Sequence, residues 1–240
     1  MKFIPWYKLF FKRAFVGPAQ LALQEVSGRV LDVGCGDGII TRTLKKSSPH
    51  LRFFGIDINK NQIAKAISEN SDIRYTVASG EKLPFAKDHF SAVVCFEVLE
   101  HVDRIDKVVH EIGRVLKKGG VFYLTTPLEG DTSNLYGLLN KFAHYDTHKG
   151  LFGHINKNTL EGISATLMTN RFKIVKQTFC SHYANQLYMI VTHFVQSKTR
   201  KLDILIKPLD LMIAFVTGVE SEVLRHFRGG LDVQITAVKQ

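Results

Sequence analysis

Short apolar runs alternate with amphipathic stretches between residues 29 and 126, a pattern typical of a parallel sheet covered by helices. The runs predicted as strands are RVLDV (29–33), LRFFGID (51–57), IRYTVA (73–78), SAVVCFE (91–97) and VFYLTT (121–126). The intervening stretches predict helices, most clearly DRIDKVVHEIGRVLKK (103–118), where apolar residues recur at helical spacing. In this helix Asp103 is expected to cap the start, and Lys117, Lys118 and Gly119 suit the end.

The pattern loosens after Thr126 and then resumes. It predicts a helix over 159–169, a strand over 172–179 and a last strand in LDVQITAVKQ (231–240), whose apolar and polar residues alternate. About fifty residues separate the last two strands, far more than a hairpin requires.

The chain is therefore expected to have one core with two elaborations. The core comprises residues 29–182 and 229–240, preceded by an amphipathic helical extension at 1–28 and interrupted by a helical insertion at 183–228. The insertion is interpreted as a substrate lid or a membrane contact. The length of 240 residues suits one such domain, and no Pro- or Ser-rich linker divides it.

Three cysteines lie far apart, outside metal-binding spacings, which favours a reducing compartment and a cytoplasmic location. The first residues, MKFIPWYKLFFKRAF, mix charges into an apolar run and lack a small-residue cleavage site, so we expect no secretory signal. Residues 177–197 contain no Lys, Arg, Asp or Glu, but polar side chains interrupt the stretch, so we expect no transmembrane helix there.

Basic residues outnumber acidic ones by 32 to 22, a net charge of +10. Such an excess is compatible with nucleic acid, an anionic membrane surface or an acidic substrate, and charge alone does not choose. In the N-terminal extension Trp6 and other aromatic residues stand among Lys12 and its basic neighbours. That mixture suits a helix in a membrane interface on the inner face, and equally a surface helix that covers the core.

The stretch VLDVGCGDG (30–38) is an apolar strand that stops at Gly34, Gly36 and Gly38. Backbone N–H groups can approach a ligand closely at such a loop, because no Cβ blocks the approach. Position 39 is not glycine, which disfavours the GxGxxG pattern of dinucleotide sites. Asp57 ends the next predicted strand, where a carboxylate can accept hydrogen bonds from two ribose hydroxyls. The two features predict a ribose-bearing cofactor.

Four stretches, VLDVGCGDG, GIDIN, GEKLPF and CFEVLEHVDRIDKVVHEIGRVLKKGGVFYLTTP, together resemble class I S-adenosylmethionine-dependent methyltransferases of the type 11 group, which includes ubiquinone biosynthesis enzymes. The resemblance is close over residues 29–127 and loose through HINKNTLEGISATLMTNRFKIV. It implies an α/β fold with a doubly wound, Rossmann-like sheet of seven strands, the last antiparallel. It also implies S-adenosylmethionine as the cofactor.

The resemblance assigns residues to the cofactor. Asp32 would orient the glycine loop and hold the amino group of the cofactor, while the backbone of Gly34, Cys35 and Gly36 would face its methionine part.

The nucleoside part of the cofactor would meet a second set of residues. Asp57 would bind the ribose and Ile58 would pack against adenine. Ser79 stands where the family has an acid that contacts adenine, Gly80 would supply the neighbouring N–H, and Phe96 completes the set.

Two groups of residues could assist the chemistry. Glu97, Glu100 and His101 form an ExxEH arrangement that resembles the metal-binding segment of quinone O-methyltransferases and would suit Mg²⁺ or Mn²⁺. The same residues fix the loop by hydrogen bonds in other members, and we assign no metal. In the His-rich segment HYDTHKGLFGH, His148 and His154 are the candidate general bases.

Three functional hypotheses follow. The first is a methyltransferase acting on a small, hydrophobic or lipid-linked acceptor, with O-methylation favoured. The second is an RNA-modifying methyltransferase, which the absence of a recognisable RNA-binding motif disfavours. The third is a non-catalytic scaffold that binds S-adenosylmethionine, suggested by Ser79 and Ser91, which replace acids common in the family.

Overall fold

A computed structural model describes residues 16–69, 72–142, 153–184, 186–187, 190, 216–217, 219–220 and 222–240. The strands are β1 (Arg29–Val33), β2 (Arg52–Asp57), β3 (Arg74–Val77), β4 (Phe90–Phe96), β5 (Leu116–Pro127), β6 (Phe172–Cys180) and β7 (Asp232–Lys239). The helices include α1 (Gly17–Ala22), α2 (Ile39–Ser47), α3 (Lys60–Glu69), α4 (Ile105–Val115), α5 (Leu135–Phe142) and α6 (Leu160–Thr169). All seven strands expected from the apolar pattern are present.

The seven strands form one sheet in the order β3-β2-β1-β4-β5-β7-β6. Strands β1 to β5 run parallel, and β7 lies antiparallel between β5 and β6, which confirms the expected direction of the last strand. The strand order reverses at β1 and β4, and ligands of open α/β sheets bind beyond the carboxyl ends of the strands at such a switch point.

Helices cover both faces of the sheet, as doubly wound folds require. On one face, side chains of α4 and α6 such as Ile112 and Leu167 bury against the sheet. On the other face, Ala19 of α1, Leu44 of α2 and Ile63 of α3 do so. The apolar and amphipathic stretches therefore alternate because both faces of the sheet are buried under helices.

The expected boundaries of the helix over residues 103–118 were wrong at both ends. The N-cap residue is Arg104, whose backbone N–H donates to Glu81 Oε1 (3.2 Å), and no side chain caps the helix. The helix ends at Val115 because Leu116 pairs with Phe90 in the sheet. Local residue preferences suggested a longer helix, and strand pairing overrides them.

Parts of both elaborations are described. Residues 16–23 belong to the core, since Val16, Ala19 and Leu23 are buried beneath α2. Residues 1–15 and 191–215, where the basic and aromatic patterns fall, lie outside the described residues. Residues 177–180 of the uncharged stretch belong to β6. Within the described ranges, no helix combines the length and apolar character needed to cross a membrane.

Candidate functional site

The glycine loop follows β1 at the switch point and adopts a backbone that favours glycine. Gly34, Gly36 and Gly38 have φ of +76°, +52° and +76°. A Cβ on Gly34 would lie 2.3 Å from Val98 Cγ2, and one on Gly38 would lie 2.5 Å from Tyr75 Oη. A Cβ on Gly36 would meet nothing within 4 Å. The first and third glycines therefore serve packing, whereas Gly36 presents bare backbone to open space.

Asp57 and the carbonyl before it hold this loop in place. Asp57 Oδ2 accepts from the Gly36 N–H (2.9 Å), and Oδ1 accepts from the Asn59 N–H (2.8 Å). The Ile56 carbonyl accepts from the N–H groups of Gly34 and Cys35 (2.8 and 2.9 Å). The carboxylate at the end of β2 thus lies directly beside the exposed backbone of the glycine loop, where the sequence predicted a ribose contact.

Asp32 lies behind the loop and is 1% exposed. Its Oδ2 accepts a hydrogen bond from Thr41 Oγ1 (2.6 Å). Thr41 is not among the residues predicted from the sequence. Burial raises the pKa of Asp32 to about 7, against the opposing effect of the Thr41 hydrogen bond. Burial and the neighbouring acids also raise the pKa of the Cys35 thiol, so that Cys35 is a neutral, buried part of the loop.

The remaining candidates for the cofactor site differ in exposure. Ile58 is 75% exposed just beyond β2, as a side chain that covers a ligand ring would be. Ser79 is exposed and its Oγ accepts from the Glu81 N–H (3.1 Å). Gly80 packs near Val33. Phe96, by contrast, is buried against Tyr123 within the core.

Buried carboxylates gather at the carboxyl ends of β4 and β5. Glu97, whose φ is +51°, accepts from Thr125 Oγ1 (2.7 Å). Glu100 is fully buried and accepts from Thr126 Oγ1 (3.1 Å) through Oε2, while its Oε1 has no hydrogen-bond partner. Burial raises the pKa of Glu97 well above its ordinary value and that of Glu100 to about 7. Both carboxyl groups are therefore held in surroundings that disfavour their charged form.

His154 meets this cluster from a distant part of the chain. Its Nδ1 lies 2.6 Å from Oε1 of Glu129, which follows β5 and is 1% exposed. Burial alone would lower the pKa of His154, but the Glu129 hydrogen bond and the charges of Glu129, Glu100 and Asp232 together raise it. Burial and the Glu129 charge raise the pKa of Asp232, at the start of β7, to about 6.

The stretch HINKN (154–158) is held over β4 and β5 by backbone and amide hydrogen bonds. The Glu100 carbonyl accepts from the N–H groups of Ile155 and Asn156. The Asn156 amide donates to the carbonyls of Leu99 and Val102 (3.0 and 2.6 Å). Asn158 donates to Thr126 Oγ1 (2.7 Å). These bonds fix the place of His154.

A divalent cation could use part of this cluster. Glu100, His101 and His154 each offer one ligand atom, and these atoms lie within 4.8 Å of one another. This set of three residues differs from the predicted ExxEH set. Glu97 accepts a hydrogen bond from Thr125 instead, and His154 stands in place of Glu97.

The sequence predicted Asp57 and the glycine loop as parts of one site, and the structure brings the two into contact. His148 lies outside the described residues. Glu129 and Asp232 were missed, although both stand next to strand ends, which was the signal that identified Asp57.

Residues 31–124 match a family model described as a methyltransferase domain. This matched region is called the methyltransferase domain below. This domain contains Asp32, the glycine loop, Asp57 and Glu100, whereas Glu129, His154 and Asp232 lie beyond its end.

Two relatives of this chain are named as methyltransferases of quinone biosynthesis. The chain is 29% identical over 160 residues to a ubiquinone/menaquinone biosynthesis C-methyltransferase of Desulfotalea psychrophila, covering 61% of this chain and 64% of the relative. It is 29% identical over 180 residues to a ubiquinone biosynthesis O-methyltransferase of Nitrosococcus oceani, covering 65% and 75%. The match thus spans less than two thirds of the first relative's length.

An S-adenosylmethionine-dependent methyltransferase of Mesorhizobium loti has the same fold. Its crystal structure superposes with a TM-score of 0.60 at 18% identity, covering 92% of this chain and 96% of the other.

Proposed function

We propose that this protein is an S-adenosylmethionine-dependent methyltransferase with a small, hydrophobic or lipid-linked acceptor. The observation that carries the proposal is the bare backbone of Gly36, bonded to Asp57 within a methyltransferase domain. The residues present fit the cofactor, because a Cβ-free strip of backbone and an acid beside it are what a methionine chain and a ribose require.

When bound, the cofactor supplies a methyl group on a sulfonium. The acceptor can attack this methyl group directly, so no protein nucleophile is needed. The glycine loop and Asp57 would bind and orient it. Asp32 would support the loop from behind, with Ile58 and Ser79 at the adenine side. The role left to the rest of the site is to align the acceptor, exclude water and remove a proton where the acceptor is a hydroxyl.

Relatives alone do not choose between carbon and oxygen as the methylated atom, since one is named a C-methyltransferase and the other an O-methyltransferase. We favour O-methylation of a hydroxylated aromatic ring that bears an apolar chain. The support is His154, an imidazole hydrogen-bonded to a buried carboxylate at the ligand-binding edge of the sheet. A hydroxyl acceptor needs such a base.

A lipid-linked acceptor would bring the protein to a membrane surface, and we propose peripheral binding on the cytoplasmic side. The aromatic and basic residues of the N-terminal extension support this proposal. Val219, Val223 and Phe227, at four-residue spacing near the end of the insertion, are exposed apolar side chains that could join the same contact.

Calorimetric titration with S-adenosylmethionine, S-adenosylhomocysteine and NADH tests the proposal. We expect micromolar binding of the two sulfur compounds and none of NADH. The Asp57→Ala variant should lose about 2–4 kcal/mol of binding, because it removes hydrogen bonds to the ribose and to the loop. Asp88→Asn is the matched control, since the Asp88 side chain pairs with Lys239 (2.8 Å) and lies just before the start of β4, at the opposite end of the parallel strands from Asp57.

A protein that binds neither sulfur compound would not be a methyltransferase. Equal affinities for the wild type and Asp57→Ala would remove the ribose assignment while leaving the activity open to a direct test. That test is transfer of radiolabelled methyl to a prenylated catechol.

A further inference from the structure

Two histidines and one buried carboxylate meet where the turn that follows β4 contacts the stretch around His154. Glu100, His101 and His154 each offer one ligand atom, and these atoms lie within 4.8 Å of one another. Ligand atoms around a tetrahedral metal ion stand about 3.3 Å apart, given metal–ligand bonds of about 2.0–2.2 Å. The side chain of His101 is 41% exposed, so it has room to close the difference.

One carboxylate oxygen of Glu100 is buried and unpaired. Oε2 accepts from Thr126 Oγ1 (3.1 Å), whereas Oε1 has no hydrogen-bond partner among the described residues. Oε1 lies 3.9 Å from Nε2 of His101, so the unpaired oxygen faces an imidazole of the same group. Because a buried polar atom without a partner costs free energy, this oxygen is suited to coordinate a cation.

Both imidazole rings are held through Nδ1. Nδ1 of His101 lies 3.3 Å from the carbonyl oxygen of Gly153, and Nδ1 of His154 lies 2.6 Å from Oε1 of Glu129. A carbonyl and a carboxylate only accept hydrogen bonds, so Nδ1 is the protonated nitrogen in each pair. Metal-bound histidines are typically oriented in this way, by a hydrogen bond from the ring nitrogen that does not coordinate.

Backbone hydrogen bonds join the two segments that carry the three side chains. The Glu100 carbonyl accepts from the N–H groups of Ile155 and Asn156 (2.8 and 3.1 Å). The polypeptide itself therefore places His154 beside Glu100 and His101. A metal ion that binds here does not have to order a loop, which lowers the cost of binding.

We propose that Glu100, His101 and His154 bind one divalent transition-metal ion, with Zn²⁺ as the best match. Two imidazole nitrogens and one carboxylate oxygen are typical zinc ligands, whereas Mg²⁺ prefers oxygen throughout. Three protein ligands leave a fourth position for water or another molecule. His154 lies outside the methyltransferase domain and Glu97 is not a ligand, so the site differs from the predicted ExxEH set in both its residues and its preferred metal.

Binding of the ion does not depend on the proposed function. A coordinated imidazole cannot also take a proton, so in the zinc-bound protein the ion would replace His154 in the role of removing the acceptor's proton. Zinc can fill that role because it lowers the pKa of a hydroxyl group that it binds. This consequence, unlike the binding itself, rests on the proposed methyltransferase function.

Metal titration of the full chain, prepared without a histidine tag, tests the site. After chelator treatment, the protein is titrated with Zn²⁺ in competition with a chromogenic indicator, and we expect one ion per chain. Glu100→Gln, His101→Ala and His154→Gln should each weaken zinc binding at least about 100-fold. Glu129→Gln should weaken it about 10–100-fold, the usual effect of removing the partner of a metal-bound histidine.

Two further variants are matched controls. His110→Ala removes an exposed histidine of α4 and should bind zinc as the wild type does. Glu97→Gln removes the acid that accepts from Thr125 and should also retain zinc. Because His101 is exposed, His101→Ala should keep the circular dichroism spectrum of the wild type, which separates loss of a ligand from loss of the fold.

The outcomes separate this site from other sources of metal binding. Wild-type zinc affinity in His101→Ala or Glu100→Gln would overturn the assignment, and so would loss of binding in Glu97→Gln. A wild type that binds no zinc at micromolar concentrations, or that binds Mg²⁺ more tightly than Zn²⁺, would also overturn it. A protein that binds zinc through these residues but not S-adenosylmethionine would support the metal site and count against the proposed function.

Discussion

At the scale of single residues, Asp32 shows how a buried carboxyl group costs stability. The side chain is buried with one hydrogen bond, from Thr41, and its pKa is raised to about 7, chiefly by burial. A raised pKa means that the folded state holds the proton more tightly than the unfolded chain does. The stability that this provides is complete below pH 4 and is lost as the pH rises towards 7.

We therefore expect Asp32→Asn to stabilise the ligand-free protein at pH 8. The pKa shift of Asp32 from 3.8 to about 7 costs the wild type about 4 kcal/mol of folding free energy at most. Asparagine does not titrate, so the variant avoids this loss. Urea unfolding at pH 4.5 and pH 8 measures the difference, which should fall to about 1 kcal/mol at the lower pH. An Asp32→Asn protein that is less stable than the wild type at pH 8 would contradict this account.

Sequence reasoning at this scale is most informative where a residue borders a recognisable motif. Asp57 stands at the end of an apolar strand after a glycine loop, so its neighbourhood could be inferred. Glu129 and Asp232 also border strands, but no local motif marks them. Their significance comes from their proximity to His154, which the chain order does not reveal.

At the scale of elements, the glycine loop joins β1 to α2 and packs on the turn that follows β4. A side chain on Gly34 would clash with Val98 of that turn, whereas a side chain on Gly36 would point into open space. Both have positive φ, so an alanine at either position is strained. Gly34 thus serves packing, whereas Gly36 offers the exposed backbone at which we propose that the cofactor binds.

The paired variants Gly34→Ala and Gly36→Ala test that separation. Both should lose about 1–2 kcal/mol from backbone strain, and Gly34→Ala about 1–3 kcal/mol more from the clash with Val98. Gly36→Ala should show the greater loss of cofactor affinity relative to its loss of stability. Urea unfolding and calorimetry measure the two effects, and equal destabilisation of the two variants would contradict the assignment.

At the scale of the whole molecule, the methyltransferase domain and the described remainder supply different sides of the site. Strand β7 runs antiparallel to β5, with Asp232 paired to Pro127. The start of β7 therefore lies at the carboxyl edge of the parallel strands, and an acid there joins the site. A parallel seventh strand would place its first residue at the opposite edge.

Membrane binding is also a property of the whole molecule. We expect the protein to sediment with vesicles that contain phosphatidylglycerol and much less with neutral vesicles. Lys12→Ala should weaken binding about fivefold, since a lysine near an anionic surface contributes about 1 kcal/mol. Trp6→Ala should also weaken it. Lys118→Ala, an exposed lysine of β5, is the control. Sedimentation that is independent of Trp6 and Lys12 would count against the proposal.

The sequence by itself determined the strands, their alternation with helices and the glycine loop with its acid, because burial and backbone geometry leave periodic, local signals. Tertiary structure alone decided that Glu129, His154 and Asp232 meet, because their separation along the chain exceeds a hundred residues from first to last. It also decided the end of α4, where pairing of Leu116 with Phe90 overrides helical preference. Contacts between distant segments depend on strand order and direction, which no local pattern of residues encodes.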